Sequence, residues 1–227
     1  MTFDFAPFWI SIKTAIVSTI ITFFLGIAVS YWMANYKSKA KGIIDGLFNL
    51  PLILPPTVVG FFLLLIFGKN GPIGKFLELF NTSIIFSWTA TVIAAIVVSF
   101  PMMYRTTRSA FEQIDINILS AARTLGLSEF KIFYKIAVPL AMPGIIGGLV
   151  LSFARAIGEF GATLMLAGNI PGKTQTMPLA IFFAAEGGDM QKAVLWVIII
   201  VSFSFLLILI LNYYSEIQLK LLGRRMK

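Results

Sequence analysis

The hydrophobic and polar positions of this chain fall into long apolar runs separated by short, mostly basic segments. Five runs are long enough to cross about 30 Å of hydrocarbon at 1.5 Å per residue. They cover residues 8–34, 47–67, 82–104, a fourth from about Ile136 past Arg155 and Glu159, and 193–214. The second, third and fifth carry no charge, and no sixth run is visible. One stretch breaks the pattern. LSAARTLGLSEFKIFYKIAVP, residues 119–139, is amphipathic and carries Arg123, Glu129, Lys131 and Lys135 between two spans. Asp115 suits the N-cap of a helix over 116–125. Gly126 suits the left-handed residue that ends it. Ser128 can cap a second short helix, and Pro139 fits the first turn of span four. The pattern predicts a helix, a bend and a helix on one membrane face, with Ala121 and Ala122 as a flat small-residue surface beside the bend.

Composition narrows the class. The chain is 58% hydrophobic and only 12% charged, against about 25% charged in soluble domains. This excludes a soluble globular protein and points to an all-α, polytopic transmembrane bundle, a single domain over 1–227. Cysteine and histidine are both absent. There is therefore no disulfide framework, no thiolate, and none of the commonest metal ligand and general base. A membrane enzyme is disfavoured for lack of convergent polar groups in the spans.

The net charge of +8 reads as topology rather than as a nucleic-acid footprint. Twelve of the 18 Lys and Arg fall in three segments: Lys37, Lys39 and Lys41; Arg105, Arg108, Arg123, Lys131 and Lys135; and Lys220, Arg224, Arg225 and Lys227. These alternate correctly for five spans with the N-terminus outside and the C-terminus in the cytoplasm. The first residues lack the basic region of a signal peptide and carry Asp4, so the first run reads as a retained span.

Two spans hold residues that suit a translocation path. Span two contains Pro51, Pro55 and Pro56, and each proline removes an amide donor. A broken helix survives in lipid only against protein or a water-filled cavity, so Pro55, Pro56 and Thr57 are pore or gate candidates, and a kinked, packed span explains the same prolines. In span four, Arg155 and Glu159 are spaced i, i+4 and share a helix face, roughly 28 Å beyond Ile136. They form either a structural ion pair or a charge that shapes a path or gate. Gly144 and Gly148 make a GxxxG pair suited to close helix packing. AGNIPGKT, residues 167–174, fits the spacing of a nucleotide-binding loop. It lacks the preceding strand and a magnesium-binding Asp, and topology puts it outside the cell. Together with Glu186 and Asp189 it reads better as an outer docking surface.

The spacing of SAARTLG (Ser120 to Gly126), nine residues, then IAVP (Ile136 to Pro139) resembles the EAA loop of ABC importer permeases. Ser120 stands where that family usually has Glu, and Val138 where it has Leu. LPLILPPTVVGF, SFARAIGEFGAT and GNIPGKTQTMPLAI are similar to the molybdate branch, with sulfate and thiosulfate permeases as near relatives. The resemblance implies a type I importer permease fold, multi-pass in a prokaryotic plasma membrane, with a coupling loop at about 105–138. It implies a homodimer, two cytoplasmic ABC ATPase subunits that hold ATP and Mg, and an extracytoplasmic molybdate-binding protein. No cofactor, metal or nucleic acid is expected on this chain. Ser120, Ala121, Ala122, Arg123, Gly126 and Pro139 are the implied coupling residues. Tungstate or sulfate transport is the alternative within the class, and a stand-alone channel or secondary carrier the alternative outside it.

Overall fold

The computed structural model describes residues 4–225, with side-chain environments for 4–207 and 209. Lys227 lies outside the described residues, and the side chains of Lys220, Arg224 and Arg225 lie outside that description too. Among the described residues all regular structure is helical. Four helical segments are long and apolar enough to cross a membrane: Ala6–Asn35, Trp88–Glu112, Glu129–Ile157 and Met190–Leu207. The pair Lys41–Ile53 and Pro56–Phe67, bent by 115°, makes a fifth if read as one span.

The chain divides into two compact units, 1–175 and 176–227. The first is built on α1 (Ala6–Asn35), α5 (Trp88–Glu112) and α8 (Val138–Ile157). Lipid offers no hydrophobic drive for helix association, so close packing and interhelical hydrogen bonds must supply it. A seam of buried hydroxyls does so between α1 and α5. Thr14 meets Thr91 at 3.0 Å, Thr22 meets Ser99 at 3.4 Å, and Ser30 donates to the Tyr104 carbonyl at 2.9 Å. The GxxxG pair works as its spacing predicts. A Cβ on Gly144 would run into Ala110, and one on Gly148 would lie 3.0 Å from the Met103 sulfur. Met103, Phe111, Ala137, Ala141 and Ile145 close the core between α5 and α8.

Span two is broken outright rather than kinked. α2 (Lys41–Ile53) ends at Leu54, and Pro55 and Pro56 open α3 (Pro56–Phe67) as N-cap and first helical residue. Proline fixes the backbone for a helix start but cannot continue the preceding one. α3 packs on α9 (Gly161–Ala167) through Val59, Leu63, Ala162 and Leu166. α2 has no fully buried residue. It is tied to α5 by a polar cluster: the Asp45 carboxylate accepts from Tyr104 at 2.8 Å, from Asn49 at 3.2 Å and from Arg108. Arg108 also donates to Glu112 at 2.9 Å, and Lys41 reaches Glu112 at 3.3 Å. The Phe48 ring lies edge-on to Tyr104 beside it.

Span three differs from its sequence expectation at both ends. Residues 82–87 are not helical, because Phe86 turns to a φ of 57° and donates its amide to Leu166, while Ser87 caps Ala90. At the other end α5 runs on to Glu112, so Arg105 and Arg108 lie on a helix and not in a loop. The short α4 (Pro72–Glu78) bridges α3 and α5.

The second unit contains α10 (Met177–Glu186) and α11 (Met190–Arg225). They join through Gly188, at a φ of 80°, and Asp189, which accepts from the Lys192 amide at 3.1 Å.

Removing the Asp45 carboxylate takes away three acceptor contacts at once. Hydrogen bonds to charged groups contribute about 1.5–3 kcal/mol. Asp45→Ala should therefore raise amide hydrogen exchange several-fold across 41–53, with little change in α1 or α8. Unaltered exchange in α2 would show that packing, not the polar cluster, holds it.

Candidate functional site

The charged stretch folds as a compact module at one end of α8. α6 (Ile116–Thr124) starts where Asp115 accepts from the Asn117 amide at 2.9 Å. It stops at Gly126, whose φ of 77° is the left-handed conformation that glycine adopts without a Cβ clash. The Gly126 amide donates to Arg123 and the Leu127 amide to Ala122, a paired C-terminal closure that satisfies carbonyls α6 leaves open. Ser128 then accepts from the Lys131 amide to start α7 (Glu129–Ile132). Arg123 clamps the bend, with Nε 2.7 Å from Glu129 Oε1 and Nη2 3.1 Å from Oε2. The Glu129 carboxylate pushes the Arg123 guanidinium above its ordinary pKa, so the clamp keeps its positive half.

The expected flat face of Ala121 and Ala122 does not exist. Neighbours on a helix point about 100° apart. Ala122 is buried with Leu119 and Ile132, while Ser120, Ala121 and Arg123 face outward. The outward surface also carries Leu125, 81% exposed, and Phe130, 73% exposed. Sequence reasoning missed both. Their signal was two large apolar residues flanking a glycine bend in an otherwise charged segment.

The second short helix is not separate from span four. α7 continues through a wide turn, Phe133–Ala137, directly into α8. Pro139 has no amide to bond Lys135 and its ring would press on that carbonyl. The backbone widens just before it, so that the Val138 amide reaches back five residues to Phe133. A 29-residue helical path, Glu129–Ile157, therefore joins the module to the far end of the span.

That far end is a second break. α8 stops at Ile157, short of Glu159, so Arg155 and Glu159 do not share one helix face as their spacing suggested. Glu159 instead serves α9. Its side chain is 2% exposed, Oε1 accepts the Ala162 amide at 2.7 Å, and Oε2 takes the Arg155 guanidinium at 2.8 Å. One carboxylate caps the new helix and is tied to the old one.

The two breaks meet. A Cβ on Gly161, at the start of α9, would lie 3.0 Å from Pro56 Cβ and 3.0 Å from the Thr57 amide nitrogen. Three residues on, Gly60 leaves room for Ala162, whose Cα would be 2.7 Å from a Cβ there. The structure thus brings Pro56 and Thr57 beside the helix end that Arg155 and Glu159 support. Pro55, Pro56 and Thr57 are exposed in the single chain.

The loop resembling a nucleotide site is used up internally. Thr174 is fully buried; its hydroxyl donates to the Gly168 carbonyl at 3.1 Å and accepts the Ile170 amide at 3.0 Å. It follows a helix and not a strand. Among the described residues no cluster of three or more acidic, His or Cys side chains could hold a metal.

Comparison with known proteins places this arrangement. A relative in Bacillus subtilis is 47% identical over 205 residues, 90% of each chain. The molybdenum transport system permease protein of Haemophilus influenzae is 41% identical over 218 residues, 95% of each chain. A solved bacterial ABC transporter involved in import of the acidic polysaccharide alginate matches with a TM-score of 0.75 at 14% identity, over 93% of this chain and 78% of that one. At such low identity the likeness concerns the fold, that of an importer permease. The family model described as binding-protein-dependent transport system inner membrane component matches residues 26–227, which include the bend at Gly126 and both helix breaks. The chain belongs to that family, the inner membrane components of binding-protein-dependent transport systems.

Proposed function

We propose that this chain is the membrane-spanning permease subunit of an ATP-driven molybdate importer. The observation that carries the mechanism is the helical path Glu129–Ile157, with a surface module at one end and a supported helix break at the other. The cargo is supported by the relative named for molybdenum transport at 41% identity over nearly the whole chain.

The N-terminus lies outside and the C-terminus in the cytoplasm, which puts the module in the cytosol. The chain is one permease domain acting as a homodimer. Each copy docks one of two ABC ATPase subunits through Ser120, Ala121, Arg123, Leu125 and Phe130. ATP and Mg are held by those partners. Ala122, Gly126 and Pro139 act from within, by packing the module, bending it and joining it to the span. An extracytoplasmic binding protein delivers the oxyanion to the other face.

The path runs past the paired breaks. Molybdate is a dianion, and Arg155 would attract it. Arg155 is held by Glu159, so the pair presents little net charge. Such a site favours passage over retention. Pro55, Pro56 and Thr57 form the neighbouring wall.

Uptake of labelled molybdate tests this reading, in cells lacking the gene and in the same cells complemented with it. Gene-dependent uptake that resists excess sulfate is expected. Uptake abolished by modest sulfate would move the protein to the sulfate branch, and uptake without any ATPase would make it a carrier. A Cβ added at Gly126 would meet no neighbour within 4 Å, so Gly126→Val acts chiefly by straining the left-handed backbone, by about 1–2 kcal/mol. It should uncouple transport while membrane insertion stays normal; normal uptake in the inserted variant would contradict the lever role. Arg155→Ala leaves Glu159 buried without its cation. It should lower uptake or the stability of the assembly, and normal values of both would remove Arg155 from the path.

A further inference from the structure

The short helix α4 is not used by the mechanism above, yet it is built with two unlike faces. At 3.6 residues per turn, Ile73, Phe76, Leu77 and Phe80 fall on one side, with Leu79 at its edge. Lys75, Glu78 and Gly74 fall on the other. Phe76, Leu79 and Phe80 are 60%, 78% and 64% exposed. The Phe76 and Phe80 rings pack edge to face at 5.4 Å, forming one apolar knob.

The opposite side is fixed to the protein. A Cβ on Gly74 would strike the Gly68 carbonyl oxygen, so α4 lies against the turn that ends α3 with no room for a side chain. Glu78 pairs with Lys69 at 3.4 Å across that corner. Thr82 donates both its amide and its hydroxyl to the Leu77 carbonyl, each at 3.2 Å, closing the end of the helix. The knob is therefore held in place.

What covers it follows from where it stands. α3 ends at Phe67 and α4 begins at Pro72, so the knob sits at the membrane boundary, at the end of α5 opposite α6. α3 likewise exposes large apolar side chains, Phe61, Phe62 and Leu65. Lys69 and Lys75 outnumber Glu78 on the polar side, and cations above an apolar face are the pattern of a helix lying in the headgroup region.

We infer that α4 is an interfacial foot that inserts Phe76, Leu79 and Phe80 into the acyl boundary of the leaflet opposite the coupling module, with Lys69 and Lys75 toward lipid phosphates. The foot props the corner between α3 and α5 at a fixed depth. The inference rests on the membrane placement of the chain and not on the identity of the cargo.

The chain has no cysteine, so single nitroxide labels can be attached without removing any native residue. Phe76→Cys, Phe80→Cys, Lys75→Cys and, as a reference within α3, Phe61→Cys are labelled and reconstituted into vesicles of phosphatidylethanolamine and phosphatidylglycerol. Collision with oxygen and with a water-soluble nickel chelate is then measured. Labels at 76 and 80 should favour oxygen several-fold more than the label at 75, at a shallower depth than the label at 61. Equal nickel access at 75, 76 and 80 would put the knob in water and overturn the proposal. Protection of 76 and 80 from both reagents would mean that protein covers them, a second copy of this chain or a partner, and would overturn it equally. If 61 is also open to nickel, the span placement itself fails and the foot fails with it.

Discussion

A backbone amide or carbonyl left unpaired in hydrocarbon costs several kcal/mol, and the rest of this structure depends on that constraint. A continuous span satisfies it without help. A broken one must find partners for every group the break releases. Both breaks here are supplied. At the first, prolines remove the donors that would have been stranded, and α3 begins with residues already set for a helix start. At the second, the Glu159 carboxylate takes an α9 amide, and Arg155 compensates the buried charge. The breaks also shelter one another, because Gly161 lets Pro56 and Thr57 approach within contact distance. Irregular backbone at this depth is tolerated where it is buried in protein or lines a cavity, and two breaks packed against each other meet that condition.

The same constraint bears on the proposed route from the surface module to that region. A helix transmits displacement because its hydrogen bonds hold its length. Glu129–Ile157 does this over 29 residues. The wide turn before Pro139 keeps its backbone bonds by shifting to a longer reach, and Pro143 inside α8 omits one amide bond further along. The Arg123–Glu129 clamp fixes α6 to the start of this helix, and the buried contacts of Leu119, Ala122 and Ile132 fill the angle between them. On the proposed coupling, a push on the exposed Leu125 and Phe130 would be delivered to the end of α8 that supports α9. α2 is tied to α5 through polar groups and has no fully buried residue of its own.

Much of this was legible in the sequence. The apolar runs located the membrane-crossing helices, and the Asp115, Gly126 and Ser128 signals located the caps of the charged module, because each rests on local backbone chemistry. What failed to show was long-range. The spacing of Arg155 and Glu159 suggested one helix face, but α8 ends at Ile157, and an acidic residue just before a helix caps it. The two alanines of the module were read as one surface, although adjacent helical positions cannot share a direction. The Asp45–Arg108 contact joins residues 63 apart in sequence, and no local pattern announces such a pair. Likewise nothing in the proline-rich run says that its break will meet another one a hundred residues later.

The central claim is that the module and the far end of α8 move as one body. The direct measurement is the distance between nitroxides at Lys131→Cys and Leu151→Cys, both exposed positions. One labelled protomer is diluted among unlabelled copies in the assembled transporter, without nucleotide and with ATP trapped. The twenty residue steps from 131 to 151 put the labels about 30 Å apart. The account predicts the same distance in both states while transport remains active. A change approaching one helical turn, about 5 Å, would show that the path gives way between the labels, at the wide turn or at Pro143, and that motion of the module is absorbed before it reaches the breaks.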